Sequence, residues 1–119
     1  MTDPDLATRI DDLAASAEAD RADFSPPADP PDEERAMNYL REGFGKAVWC
    51  YVDARTNGFD QIDPEEFEAL EGAMNEWLGL YARCYGVEFE PDVTIRKAAE
   101  LLLETHNVRD TAQVLTHVP

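Results

Sequence analysis

The stretch DARTNGFDQIDPEEF, residues 53–67, is where potential oxygen ligands crowd most closely. It joins two helical patterns and carries Asn-Gly followed by Ile-Asp-Pro-Glu-Glu-Phe, echoing the acidic loop of a calcium-binding EF-hand. The register argues against that chemistry. With Asp53 as first ligand, Arg55 falls where the next oxygen is needed. Counting back from Glu65 or Glu66 as the bidentate ligand moves Gly58 off the position of the sharp turn. A helix stop at Asn57-Gly58, then a new helix capped at Asp63, accounts for the same residues without a metal.

Other chemistries fare no better. A carboxylate-bridged di-iron bundle needs Glu-x-x-His pairs. Glu104-Thr105-His106 has the wrong spacing, and no Glu stands three residues before His117. Cys50, Cys84, His106 and His117 are too scattered for a zinc site, although the sequence leaves open whether Cys84 and His106 meet in space. The chain has no G-x-S-x-G, no P-loop and no G-x-G-x-x-G. Its carboxylates are too numerous for any one pair to stand out. The expectation is a protein that is not an enzyme and holds neither cofactor nor metal.

Two groups of residues remain that could recognise a partner. Residues 94–117 read as helix, tight turn, helix, with Arg96, Lys97 and Arg109 as candidate nucleic-acid contacts. Glu100, Glu104 and Asp110 dilute that basic patch, and molar salt would weaken phosphate contacts. The aromatic side chains are the stronger lead. Tyr39, Trp49, Trp77, Tyr81 and Tyr85 crowd two long helices, and Tyr39 and Trp49 fall beside the apolar seam. Core filling is the first explanation, and the second is that the hairpin of those helices leaves an apolar face rich in Trp and Tyr that another subunit covers. The leading expectation is therefore a protein–protein interaction or self-associating module, with nucleic-acid binding as the alternative.

These residues need elements to position them. An N-terminal helical arm, residues 1–23, carries a narrow Ala-rich stripe of Leu6, Ile10, Leu13, Ala14 and Ala17. Four prolines make residues 24–32 an extended linker to the main helical domain, residues 33–119. Asp32 caps the next helix, along which Met37, Leu40, Phe44, Ala47 and Tyr51 step by threes and fours. Asp63, Pro64 and Glu66 then form a capping box, with Ile62 and Phe67 as its hydrophobic staple. Phe67, Leu70, Met74, Trp77, Tyr81 and Cys84 continue the same stepping until Gly86 stops it. The two patterns, about 32–57 and 64–85, predict an antiparallel helical hairpin. The VEFEPD stretch, residues 87–92, reads as an extended connector. A helix over 94–106 comes next, with Ile95, Ala98, Ala99, Leu102 and Leu103 on one face and Asn107 at its end. A short last helix over 111–117 opens on Asp110 and Gln113. The fold class is all-α.

Composition sets the solvent. The 119 residues carry 26 acids against 10 bases, a formal net charge of −16, and eight of the bases are Arg. Disorder does not follow, because the chain is 44% hydrophobic with two Trp, four Tyr and five Phe. Such self-repulsion is tolerable where molar salt shortens the Debye length to roughly 3 Å. The opening MTDPDLATRI lacks the basic and apolar regions of a signal peptide, and no apolar run spans a membrane. A cytoplasmic protein is expected. The acidity, the proline-broken arm and the RDTAQVL ending, residues 109–115, resemble small acidic haloarchaeal proteins of unknown function. That resemblance implies salt adaptation and carries no site residues.

Overall fold

The computed structural model describes residues 4–56 and 62–118, and every regular element among them is helical. The helix stop expected at Asn57-Gly58 lies outside the described residues. Helix α1 spans Pro4–Asp23 and α2 spans Glu33–Tyr39. A π-helical turn, Leu40–Phe44, joins α2 directly to α3, Gly45–Thr56, so that one continuous rod results. Then come α4, Pro64–Cys84; α5, Ile95–Thr105; and α6, Val108–Thr116.

The rod and α4 pack antiparallel. The Asp32 amide donates to the Cys84 carbonyl at 2.9 Å, Gly43 faces the Trp77 ring, and Tyr51 meets Phe67 edge-on at 6.2 Å. These pairs run in opposite directions along the two helices, as the matched seams predict. The seam residues Leu40, Phe44, Ala47, Leu70, Met74, Trp77, Tyr81 and Cys84 are all buried. Within the π turn the Gly45 amide reaches back five residues to the Leu40 carbonyl. The extra residue rotates α3 relative to α2 and turns the backbone of Gly43 onto Trp77. A Cβ at Gly43 would fall within the Trp77 ring.

Helix α1 lies along α4 in the parallel sense. Asp11 faces Glu66, Arg21 bonds Glu76 at 2.9 Å, and the Trp77 indole N–H donates to Asp20 at 2.9 Å. Leu6, Ile10 and Ala17 are its buried face, and Arg9 reaches Asp53 of α3 at 3.3 Å. The small residues Ala14 and Ala17 of α1 and Ala69, Gly72 and Ala73 of α4 line a cavity between the two helices.

The proline linker is tied down at Arg35. Its Nη1 donates to the Ser25 carbonyl at 2.8 Å, its Nε donates to the Tyr39 hydroxyl at 3.2 Å, and its guanidinium sits 4.4 Å from the Phe24 ring centre. Asp32 caps α2 as the sequence predicts, accepting from the Arg35 amide. Arg35→Ala removes the cation–π contact and both side-chain hydrogen bonds while leaving the helices intact. It is expected to cost about 1–2 kcal/mol, and limited proteolysis in molar KCl should then cut preferentially within residues 24–32.

Three local expectations are corrected. At the start of α4, Asp63 makes no capping hydrogen bond to the helix, and Glu66 turns toward Asp11 of α1 rather than closing a capping box. The last helix begins at Val108, not residue 111, because Asn107 is its N-cap and accepts from the Asp110 amide at 3.0 Å. The left-handed residue ending α5 is accordingly His106, φ 56°, and α6 ends the same way on His117, φ 59°. Gly86, φ 79°, ends the turn after α4 as predicted, and the Val87 amide closes on the Ala82 carbonyl.

The 87–93 segment is an extended connector. Asn75 holds it as a peptide group would, donating to the Val93 carbonyl at 2.9 Å and accepting from the Val93 amide at 3.0 Å. Glu71 accepts from the Ile95 amide, fixing the start of α5.

Candidate interaction surface

Of the five aromatic residues that are interface candidates, the fold uses three internally. Tyr39 and Tyr81 are buried, and Trp77 is 1% exposed at the meeting of α1, the π turn and α4. The seam turns Trp77 and Tyr81 inward, with α1 bonding Trp77 through Asp20 and Val118 accepting from Tyr81, while Tyr39 packs against Phe24 of the linker. Tyr81 donates to the Val118 carbonyl at 3.1 Å, and its ring lies 5.3 Å from that of half-buried Tyr85. Burial raises the Tyr81 hydroxyl well above its ordinary value, so it stays a neutral donor.

Trp49 is different. It is 42% exposed on α3, one helical turn beyond Gly45, where a Cβ would stand 3.2 Å from Val108 of α6. Helix α6 approaches the rod at this end, against the π turn and Gly45. Helix α3 packs on α5 and α5 on α6, and these two helices expose Leu103 and Val114 by 48% and 52%. The sequence places Leu103 on the core face, and the fold corrects this. It lies one residue beyond the buried Ile95, Ala98, Ala99, Leu102 stripe, which turns it outward. Val114 and, on the connector, exposed Val87 and Phe89 carry no signal in the sequence that sets them apart.

The charges flanking Trp49 are paired. Asp53, four residues on, holds Arg9, and Lys46, three residues back, holds Glu42 at 2.8 Å. Lys46 also pulls the Glu42 carboxyl below its ordinary range. In a chain of net charge −16, this tryptophan therefore sits in locally neutral surroundings.

The basic candidates do not converge. Arg96 and Lys97 occupy the first turn of α5, where Arg96 pairs with Glu100 at 3.3 Å. Arg109 lies in the first turn of α6, beyond the length of α5, roughly 15 Å at 1.5 Å per residue. It is half-buried and acts on the Tyr81 hydroxyl. A second charged region forms along α4, where Arg21, Glu76, Arg83 and Glu90 line a cleft of about 130 Å³. There Arg21 holds Glu76 tightly, and Arg21 and Arg83 each reach Glu90 at 3.9 Å. Opposite charges balance within it.

Both thiols are buried, which pushes Cys84 up to about 11 and raises Cys50 also. Neither is a thiolate near neutral pH. The charged groups acting on Cys84 are Arg35 and Asp32, while His106 stands exposed at the α5–α6 turn. Among the described residues no group of three or more His, Cys, Asp or Glu is placed to hold a metal ion, and no helix is long and apolar enough to cross a membrane.

No curated protein and no solved structure matches the chain. A family model described as a domain of unknown function, DUF8055, matches residues 4–119, from the first turn of α1 to the residue after Val118. The family unit thus includes the arm, the linker and the helical body together, and the chain belongs to the DUF8055 family.

Proposed function

We propose that this chain is a non-catalytic helical interaction module that associates with a second copy or another protein through the surface centred on Trp49. The exposure of Trp49 between two paired charges carries the reading. Interface centres are rich in Trp and poor in unpaired charge, and a large aromatic ring left in water costs hydrophobic free energy that a partner would recover. Leu103 on α5, which packs on α3, and Val114 on α6 are further exposed apolar side chains. The acidic remainder of the surface suits a cytoplasm of molar salt, where its self-repulsion is screened.

The test is purification of the tagged chain from a halophilic host in molar KCl, with mass by light scattering. A homo-oligomer or a stoichiometric protein complex is expected. Trp49→Ala should convert it to monomer while shifting the melting temperature by no more than a degree or two. A parent protein that is monomeric and alone at every concentration would end this reading. Nucleic acid retained in molar KCl, and lost with Arg96→Glu and Arg109→Glu, would support the alternative through residues 94–117.

A further inference from the structure

We propose that the cleft beside α4 binds a small aliphatic carboxylate, which enters by displacing the side chain of Glu90 from between Arg21 and Arg83. The two guanidiniums come from different helices, α1 and α4, and each places its Nη2 3.9 Å from the same oxygen of Glu90. A bonded Arg–carboxylate pair closes to about 2.7–2.9 Å. Glu90 thus marks where a carboxylate sits without being held there. Arg21 has a tight partner in Glu76 at 2.9 Å. Arg83 has none. Its side chain is only 23% exposed, yet among the described residues nothing accepts a hydrogen bond from its guanidinium. A guanidinium offers five donors in a planar fork that matches the two oxygens of a carboxylate, and Arg83 lines the cleft with those donors unspent.

Glu90 can leave without any movement of the backbone. The connector is pinned on both sides of it. A Cβ at Gly79 would stand 3.2 Å from the Phe89 carbonyl oxygen and 3.4 Å from the Pro91 ring, and Asn75 holds Val93 through both its peptide groups. The Glu90 side chain itself is 81% exposed, and an ion pair so open to water contributes little. Rotating it outward leaves two arginines facing the single carboxylate of Glu76.

The space sets the size of the ligand. A cavity of roughly 150 Å³ takes a benzene ring, so the cleft of about 130 Å³ takes a ligand of about five or six heavy atoms. Butyrate has that size. Gly72, Gly79 and Phe89 bring no charge to the lining, and nothing stands within 4 Å of a Cβ at Gly72, which leaves room for an alkyl end. Molar chloride screens long-range attraction, but a spherical ion cannot match the arginine fork. Paired hydrogen bonds and apolar contact therefore select the carboxylate. The cleft shares no residue with α3, α5 or α6, so the site is separate from the Trp49 surface.

The test is titration of the full chain with potassium butyrate, followed by amide and arginine Nε–H resonances, with KCl lowered in step to hold ionic strength at a molar level. Saturating shifts are expected at Gly72, Gly79 and Arg83, with half-saturation at about 1–10 mM for so small a ligand. Arg83→Gln should weaken binding at least tenfold. Glu90→Gln, at an open position that does not threaten folding, removes the internal competitor and should tighten binding several-fold. Butylammonium, with the same chain and the opposite charge, should leave these resonances in place. Shifts that grow without saturating, or an affinity unchanged in both variants, would overturn the site. Saturable binding of inorganic phosphate without binding of butyrate would overturn the carboxylate as its ligand.

Discussion

Truncating Trp77 to alanine is expected to remove about 3–5 kcal/mol of stability, the range for losing a fully buried tryptophan. The residue is 1% exposed and touches three elements at once: Gly43 of the π turn, Asp20 of α1 through its indole N–H, and its own helix α4. A domain of this size has about 5–15 kcal/mol in total, so the loss is a large share. Thermal unfolding in molar KCl should show a drop of about 10–20 °C. Trp77→Phe separates the two contributions. It keeps most of the ring volume and leaves Asp20, half-buried, without its donor, for an expected loss of about 1–2 kcal/mol. A Trp77→Ala protein melting within a few degrees of the parent would mean that this junction does not hold α1, the π turn and α4 together.

Gly43→Ala is expected to destabilise by about 1–3 kcal/mol, even though alanine favours helix over glycine by about 1 kcal/mol. The added carbon would meet the face of Trp77, and that ring cannot swing aside without breaking its bond to Asp20. Gly72→Ala supplies the opposite sign on the same scale. Nothing lies within 4 Å of a Cβ there, so the propensity gain should appear undiminished as a rise of about 0.5–1 kcal/mol. The Gly43 penalty should also shrink sharply in a Trp77→Ala background, a coupling that a double-mutant cycle measures directly. Equal effects of Gly43→Ala in both backgrounds would contradict the close approach.

The helical hairpin was legible because Met37 to Tyr51 and Phe67 to Cys84 repeat at spacings only an α-helical period satisfies. The π turn was not. One inserted residue shifts the stripe by a fraction of a turn, which stepping by threes and fours absorbs without a trace. The two glycines flanking Phe44 are its only sequence mark. Capping misled where tertiary contacts won. Asp63 and Glu66 have the spacing of a capping box, yet Glu66 turns to α1, a partner some 55 residues away that no local rule could supply. At the α5–α6 turn, Asn107 could serve as the end of one helix or the start of the next. The fold uses it as a cap and gives the left-handed position to His106.

The interaction surface was half legible. Aromatic side chains on or beside a seam look alike whether the chain itself or a partner covers them, and the sequence did not show that Asp20 of α1 would hold Trp77, that Phe24 of the linker would meet Tyr39, or that Val118 would accept from Tyr81. Only Trp49 of that set is clearly exposed. Its neutral setting depends on Arg9 reaching Asp53 across 44 residues, a pairing invisible to helix periodicity.

The most direct test of the account is the accessibility of Trp49 to acrylamide, a neutral quencher, in molar KCl. Trp77 serves as the buried internal reference. Trp49 is expected to be quenched in dilute protein and protected in the assembled species that elutes as a complex, with the protected fraction tracking the mass from light scattering. Trp49 equally open to quencher in every eluted species would contradict the claim that its surface is where this module meets a partner.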